Sequence, residues 1–166
     1  MKFKISALKE LYQAKKNTFL TDINYFDFFD LNREWLVPYA AYCFLRDKYQ
    51  TADFTKWKSN KIYNADAIQK IVSPSQSHYD EICFHYFIQY HLHLQLKEAS
   101  EYAHKNGVIL KGDIPIGVSR HSCEVWVEPS LYNVNEKEGA PPADFAVKGQ
   151  NGGFPTYNGE KMKEVG

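Results

Sequence analysis

The sequence lacks the features of a disulfide-stapled or membrane-spanning protein. Its three cysteines, Cys43, Cys83 and Cys123, lie far apart, and no Cys-x-x-Cys pair occurs. An odd number at this spacing argues against a disulfide framework and favours reduced thiols in the cytoplasm. No run of eighteen apolar residues is present, and residues 1–4 lead into an amphipathic stretch rather than a signal-peptide core. We therefore expect a soluble chain that is not exported.

The sequence also lacks net charge. Twenty basic and twenty acidic residues give a formal charge of zero, so electrostatics gives no reason to expect nucleic acid or an anionic membrane as a partner. The balance suits a neutral ligand. Hydrophobic residues make up 44% and aromatic residues 16% of the 166 residues, which is enough to bury the core of one ordinary domain.

Most of the N-terminal two thirds of the chain is predicted to be helical. Asp22 is expected to cap a short aromatic helix, Asp30 or Asn32 to cap the next one, and Pro38 to fall in its first turns. Ser77 resembles the start of a capping box and is expected to begin the longest helix. Apolar residues at helical spacing predict helices over residues 3–16, 25–29, 33–48, 64–72 and 77–104, the last ended by Asn106-Gly107.

A β-branched run at residues 108–114 contrasts with these helices. It is typical of a buried strand that delivers Asp113 to its C-terminal tip, although a turn-forming Asp after Gly112 has the same local sequence. The segment 120–158 that follows is long, non-periodic and rich in glycine, proline, asparagine and aromatic residues. Loops of this length are functional or disordered, and the aromatic content argues against disorder.

Six separated blocks of this region resemble the 4-α-glucanotransferases called amylomaltases or disproportionating enzymes, of glycoside hydrolase family 77. The helix at residues 77–104 and the segment 35–57 extend the resemblance upstream. The blocks are Gly112-Asp113-Ile114-Pro115-Ile116-Gly117-Val118, Ser122-Cys123-Glu124-Val125-Trp126, Gly139-Ala140-Pro141-Pro142, Phe145, Gly149-Gln150-Asn151 and Gly153-Phe154-Pro155-Thr156-Tyr157-Asn158.

The resemblance implies an α/β fold, part of a (β/α)8 barrel with a helical insertion. The chain itself is expected to be mostly α-helical with one or two strands and a long loop. Residues 1–106 would form the helical insertion, and residues 107–166 the barrel strand and the loop of the substrate groove. Because a barrel of this type needs about 250 residues, we expect a piece of a larger enzyme.

The resemblance also implies substrate-binding residues for α-1,4-glucans such as maltodextrin and maltose. Asp113 would bind sugar hydroxyls at a strand tip, Gln150 and Asn151 offer mixed donors and acceptors, and Phe154 and Tyr157 offer rings for pyranose faces. Without the other blocks, Gln150-Asn151 between glycines would be only a flexible turn. The implied set is Asp113, Pro142, Phe145, Gln150, Asn151, Phe154 and Tyr157.

Three positions depart from the family pattern, and the catalytic motifs are missing. Ala143 replaces the family's aspartate, and Gly152 and Gly159 replace tryptophans. The family's catalytic carboxylates are expected in an Arg-x-Asp-His segment, a later glutamate strand and a His-Asp pair, none of which occurs here. We therefore assign no catalytic residue to this chain and expect it to be inactive alone, its partner being the remainder of the barrel.

Histidine and cysteine residues suggest a metal site or a nucleophile, but their spacing in the sequence gives weak support to either hypothesis. The five histidines at positions 78, 85, 91, 93 and 104 never stand three or four residues apart, so no helical pair shares a metal-binding face. His121 beside Cys123 is weak support for a nucleophile, since such partners meet through the fold. Trp126 is predicted to anchor a loop rather than to bind ligand. We predict no metal and no cofactor.

Two functions from different classes remain. In the first, the chain is part of a 4-α-glucanotransferase and lines the glucan groove. In the second, it is a non-catalytic helical module that binds carbohydrate or another protein through exposed aromatic residues.

Overall fold

Helices dominate the computed structural model of the chain, which describes residues 2–113, 115, 117–135, 139–140, 150–151 and 154–165. Two 3-10 turns, Phe54–Lys56 and Pro129–Leu131, lie between them. No described helix is both long and apolar enough to cross a membrane. The helices are α1 (Lys2–Phe19), α2 (Ile23–Tyr49), α3 (Ala65–Ile71), α4 (Tyr79–Lys105), α5 (Cys123–Val127) and α6 (Gly159–Val165).

The described strands are four pieces of two residues each. They form two antiparallel pairs, β1 with β4 and β2 with β3. The prediction of a mostly α-helical chain is thus confirmed, with strand content confined to these short pairs. The strands are β1 (Tyr132–Asn133), β2 (Gly139–Ala140), β3 (Gln150–Asn151) and β4 (Thr156–Tyr157).

The chain folds as two compact units, each built from two separate segments. The first unit contains Met1–Leu45 and Ala65–Lys111, and the second contains Arg46–Asn64 and Gly112–Gly166. The assignment of residues 1–106 and 107–166 to different parts of the larger enzyme stays a prediction.

Aromatic side chains form the core of the first unit, where α1 contacts α4. The buried ring of Tyr12 lies 5.4 Å from Phe87, edge to face, and its hydroxyl donates a 2.8 Å hydrogen bond to Asp80 Oδ1. Lys16 Nζ lies 3.0 Å from the other carboxylate oxygen of Asp80. Burial, followed by the hydrogen bond to Asp80, raises the pKa of Tyr12 well above its ordinary value. The hydroxyl therefore stays a donor at neutral pH.

Helix α2 runs without interruption where two helices were predicted. Asp22 caps it as expected, since its Oδ1 accepts a 2.9 Å bond from Asn24 N. Neither Asp30 nor Asn32 starts a new helix, since both lie inside α2. Asn32 Nδ2 donates instead to Phe28 O (2.7 Å) of the preceding turn. Pro38 lies in the helix interior rather than in a first turn. Both predictions were wrong because buried apolar residues lie on each side of the expected break, and their packing stabilises one continuous helix.

Helix α4 begins at Tyr79 without the predicted capping box at Ser77. Its N-cap is His78, which makes no side-chain capping bond. The ring of His78 instead stacks on Phe44, with centroids 4.3 Å apart and planes 11° apart, and His78 Nε2 lies 2.9 Å from Ile71 O. Tertiary contacts of this ring set the helix start, which local capping propensity did not reveal.

The end of α4 follows the prediction. Gly107 has φ +74°, its N–H donates to His104 O (3.0 Å), and Val108 N–H donates to Ala103 O (2.9 Å). This pair of bonds is the Schellman motif, which requires a left-handed residue after the helix. Glycine is the residue that adopts this conformation without steric cost.

The prediction of a strand at residues 108–114 is wrong for the described residues 108–113, which form no strand. Val108, Ile109 and Leu110 are 52%, 88% and 51% exposed. A parallel barrel strand is normally buried and paired with its neighbours, and no described residue pairs with this one. Strand propensity alone does not order such a segment.

Candidate functional site

Two tryptophans organise the second unit. Trp57 is fully buried, and its Nε1 donates a 2.9 Å hydrogen bond to Thr51 O. Trp126, which is also buried, donates from Nε1 to Asn60 O at 2.9 Å. The two rings meet edge to face with centroids 5.6 Å apart. Because both indole N–H groups are paired, the two rings are packing elements of the second unit. Trp126 packs as an anchor, as predicted, although it also lines the cleft described below.

Helix α5 holds Trp126 in place. Ser122 is its N-cap, with extended backbone angles (φ −79°, ψ 167°), and its Oγ accepts a 3.4 Å bond from Val125 N. The helix buries Cys123, Val125 and Trp126 within a single turn and a half. Pro129 then begins a 3-10 turn, where its missing donor costs least. A Ser cap and an early proline thus bracket this short helix.

A cleft of about 630 Å³ opens beside these tryptophans. This volume lies within the range of small-molecule sites. Its surface is mainly apolar, and it includes the basic residues Lys61 and Arg120. The lining residues, all from the second unit, are Phe54, Thr55, Lys61, Ile62, Tyr63, Arg120, His121, Val125, Trp126, Val127, Pro129 and Val134.

The carboxylate of Asp53 contacts two residues of the cleft lining, Thr55 and His121. Asp53 Oδ1 accepts a 2.6 Å bond from Thr55 Oγ1 and lies 3.4 Å from His121 Nε2. Its other oxygen is 2.9 Å from Lys56 Nζ. Hydrogen bonds from Thr55 and Lys56, aided by the charge of His121, lower the pKa of Asp53 to about 2, although burial opposes this shift. Asp53 is therefore an anion that holds His121 in position.

The predicted sugar-binding residues Phe154 and Tyr157 lie on or next to β4. Tyr157 pairs with Tyr132 in the β1–β4 register, and their rings are 5.8 Å apart. Asn133 Nδ2 donates to Thr156 Oγ1 at 3.0 Å. Phe154 exposes 47% of its surface. We call Tyr132, Asn133, Phe154, Thr156 and Tyr157 the β1–β4 surface, which combines aromatic rings with amide and hydroxyl groups.

The structure describes three of the five remaining predicted site residues. Asp113 is exposed in the segment after Gly112. Gln150 and Asn151 form β3, opposite Ala140 and Gly139 of β2. Pro142 and Phe145 lie outside the described residues, as do Ala143 and Gly152. The structure thus places Phe154 and Tyr157 in one short segment of the second unit.

The cleft was missed by the sequence reasoning. Residues 50–75 show no clean periodicity, so Phe54 and Tyr63 carried no signal of a shared site. Trp57 and Tyr63 both contact the ring of Trp126, which lies more than sixty residues later in the chain. The sequence signal that could have indicated the cleft is the run Asp-Phe-Thr-Lys-Trp at 53–57, in which two aromatic residues flank a polar turn.

The nucleophile and metal readings gain no support from the described residues. Cys123 is buried, and His121 faces Asp53 at 3.4 Å. A reactive thiol needs partial exposure and an electropositive setting. Among the described residues, no three His, Cys, Asp or Glu side chains come together as a group that could hold a metal ion.

Comparison with known proteins identifies the family. The sequence profile of the family described as 4-alpha-glucanotransferase, glycoside hydrolase family 77, matches residues 1–166. The 4-alpha-glucanotransferase DPE2 of Oryza sativa subsp. japonica is 47% identical over 97% of this chain and 17% of its own length. The 4-alpha-glucanotransferase of Chlamydia muridarum is 29% identical over 94% of this chain and 29% of its own length.

A solved structure agrees with these sequence matches. An amylomaltase from Streptococcus agalactiae, in complex with acarbose, superposes with a TM-score of 0.74 at 26% identity. The match covers 94% of this chain and 33% of the amylomaltase. The chain therefore spans about one sixth to one third of the length of these relatives. Because the family profile covers all 166 residues, this chain belongs to the 4-alpha-glucanotransferase family, glycoside hydrolase family 77.

Proposed function

We propose that this chain is part of a 4-α-glucanotransferase that moves α-1,4-glucan segments between maltodextrin acceptors with retention of configuration. The observation that carries the proposal is the family match over residues 1–166. The likeness to an amylomaltase solved with acarbose, a carbohydrate, supports it. The three buried cysteines, none of which forms a disulfide, support a reducing, cytoplasmic location.

The chain's role in this reaction is substrate binding. Retaining transfer needs two carboxylates about 5–5.5 Å apart, one as nucleophile and one as acid. We assign neither role to Asp113, Glu124 or Asp144, because the family's catalytic motifs do not occur in this sequence. The catalytic pair is supplied by residues outside these 166, and this chain positions the glucan.

The β1–β4 surface is the part of the proposed groove with the most support. A pyranose ring has an apolar face that packs on aromatic rings and a rim of hydroxyls that needs donors and acceptors. Phe154 and Tyr157 supply the rings, while Asn133 and Thr156 supply polar groups beside them. We place Asp113, Pro142, Phe145, Gln150 and Asn151 in the same groove on the basis of the family blocks.

Calorimetric titration with maltoheptaose tests this assignment. Burying a large apolar side chain contributes roughly 1.5–3 kcal/mol, so Phe154→Ala is expected to weaken binding by about one decade or more. Phe3→Ala is the matched control, since Phe3 is an exposed phenylalanine on α1. Equal affinities of the parent and Phe154→Ala would remove this surface from the groove.

An activity assay separates the enzyme from the alternative, a non-catalytic binding module. The 166-residue chain alone is expected to release no glucose and no longer oligomers from maltotriose. The same chain within a longer reading frame that contains an Arg-x-Asp-His segment is expected to disproportionate maltotriose. Turnover by the isolated chain would contradict the proposal, and an inactive complete protein would favour the binding module.

A further inference from the structure

We propose that the cleft of the second unit is a binding site for a planar aromatic anion, separate from the proposed glucan groove. The class comprises an apolar aromatic ring joined to a carboxylate, sulfonate or phosphate. Neither Phe154 nor Tyr157, the described rings of that groove, lines the cleft.

The shape and surface of the cleft favour a flat apolar ligand. Tyr63 meets Trp126 edge to face, with centroids 5.2 Å apart, so the two rings form one wall. Trp126 uses its only N–H on Asn60 O, so it presents no donor to the cleft. Ile62, which is 85% exposed, adds apolar surface. A neutral sugar, which is covered with hydroxyls, would leave many of them unpaired against such a lining.

The charges on the lining favour an anion. Two basic residues, Lys61 and Arg120, belong to the lining. Asp53 is directed to Lys56, Thr55 and His121, and it is not itself part of the lining. The described residues that line the cleft include no aspartate or glutamate. A ligand anion would therefore meet attractive charge at the opening.

One acidic side chain lies near enough to serve as a probe of this field. Glu128 stands between the lining residues Val127 and Pro129, and its charge contributes to the raised pKa of Tyr63, whose first cause is burial, followed by Cys123. Glu128 should oppose anion binding. Neutralising Glu128 should therefore raise the affinity for an anion, whereas neutralising Lys61 or Arg120 should lower it. A general change in fold would not produce these opposite effects.

The test uses the anionic dye 8-anilinonaphthalene-1-sulfonate with the 166-residue chain, and the neutral dye N-phenyl-1-naphthylamine for comparison. We expect 1:1 binding of the anionic dye. Lys61→Gln and Arg120→Gln should each weaken it about three- to fivefold, and Glu128→Gln should strengthen it about two- to threefold, the size expected for exposed charge pairs. The neutral dye should respond to none of the three. Anionic binding that ignores all three substitutions would overturn the proposal.

Two further variants locate the dye. Val134→Trp fills the cleft and should lower the affinity at least tenfold, whereas Ile109→Ser, in an exposed apolar segment outside the lining, should leave it unchanged. In a Trp35→Phe background the remaining indoles are Trp57 and Trp126, and their emission should be quenched by energy transfer to the bound dye. Binding that is lost in Ile109→Ser but kept in Val134→Trp would place the dye elsewhere and overturn the proposal.

The outcome is independent of the glucan assignment. Maltoheptaose should not displace the dye, because Phe154 and Tyr157 lie outside the cleft lining. Displacement by maltoheptaose would overturn the separateness of the two sites. Failure of maltoheptaose to bind at all, with dye binding intact, would count against the glucan groove only.

Discussion

Trp126 Nε1 donates a 2.9 Å hydrogen bond to the carbonyl oxygen of Asn60, which lies 66 residues earlier in the chain. Asn60 has φ +60°, a left-handed conformation that asparagine tolerates better than most residues. The bond connects α5 to the segment 46–64 within the second unit. A buried indole and a turn carbonyl thus satisfy each other, and one wall of the cleft depends on the pair.

Removing this bond should destabilise the protein. Trp126→Phe leaves the Asn60 carbonyl without its partner and shortens a buried side chain, so we expect a loss of about 1–3 kcal/mol in the free energy of unfolding. Trp35→Phe is the matched control, because Trp35 is 47% exposed and its Nε1 bonds Asn32 within the same helix. Urea unfolding measures both. Equal losses in the two variants would contradict a special role for the Trp126 bond.

The end of α4 offers a second test. Gly107→Ala places a Cβ at φ +74°, which should cost about 1 kcal/mol or somewhat more. Gly112→Ala is the control, because no heavy atom lies within 4 Å of an added Cβ there and its φ is not in the left-handed range. Thermal unfolding should show a lower Tm for Gly107→Ala only. An unchanged Tm for Gly107→Ala would mean that the Schellman turn contributes little.

Acid should weaken the contacts around Asp53. The folded-state pKa of about 2 lies below the ordinary 3.8, so the ionised carboxylate stabilises the folded state above pH 3.8 and this contribution is lost as pH falls through about 2. We expect Asp53→Asn to be less stable than the parent at pH 7. The difference should shrink between about pH 4 and pH 2.

Urea unfolding at several pH values measures this difference. Asp66→Asn, at an exposed position in the first turn of α3, is the control for losing one aspartate. A gap between parent and Asp53→Asn that stays constant across this window would argue against the lowered pKa.

The exposed apolar segment 108–110 should promote self-association. Ile109 is 88% exposed beside Val108 and Leu110, and exposed apolar backbone without a strand partner is prone to pairing between chains. Ile109→Ser is expected to lower the mass observed by light scattering at high concentration, with a change in stability within about 0.5 kcal/mol, as is usual for a surface position. Phe3→Ser, at an 86% exposed site on α1, is the control. A parent chain that stays monomeric at all concentrations would refute this prediction.

Several features of this protein follow from the sequence alone, because each depends on a few neighbouring residues. Asn106-Gly107 predicts the end of α4, since a left-handed turn there requires glycine. Asp22 predicts the start of α2 through a bond to a backbone N–H two residues away. The six blocks between Gly112 and Asn158 predict the family, since their order and spacing can be read without knowing any contact.

Other features depend on contacts that the sequence does not display. Whether α2 breaks at Asn32 is decided by burial on both sides of that position, and the start of α4 by the stacking of His78 on Phe44. Phe54, Tyr63 and Trp126 line one cleft only after the chain brings distant segments together. Local propensities differ by less than about 1 kcal/mol per ordinary residue, whereas burying one large side chain contributes roughly 1.5–3 kcal/mol. Tertiary packing therefore decides wherever the two disagree.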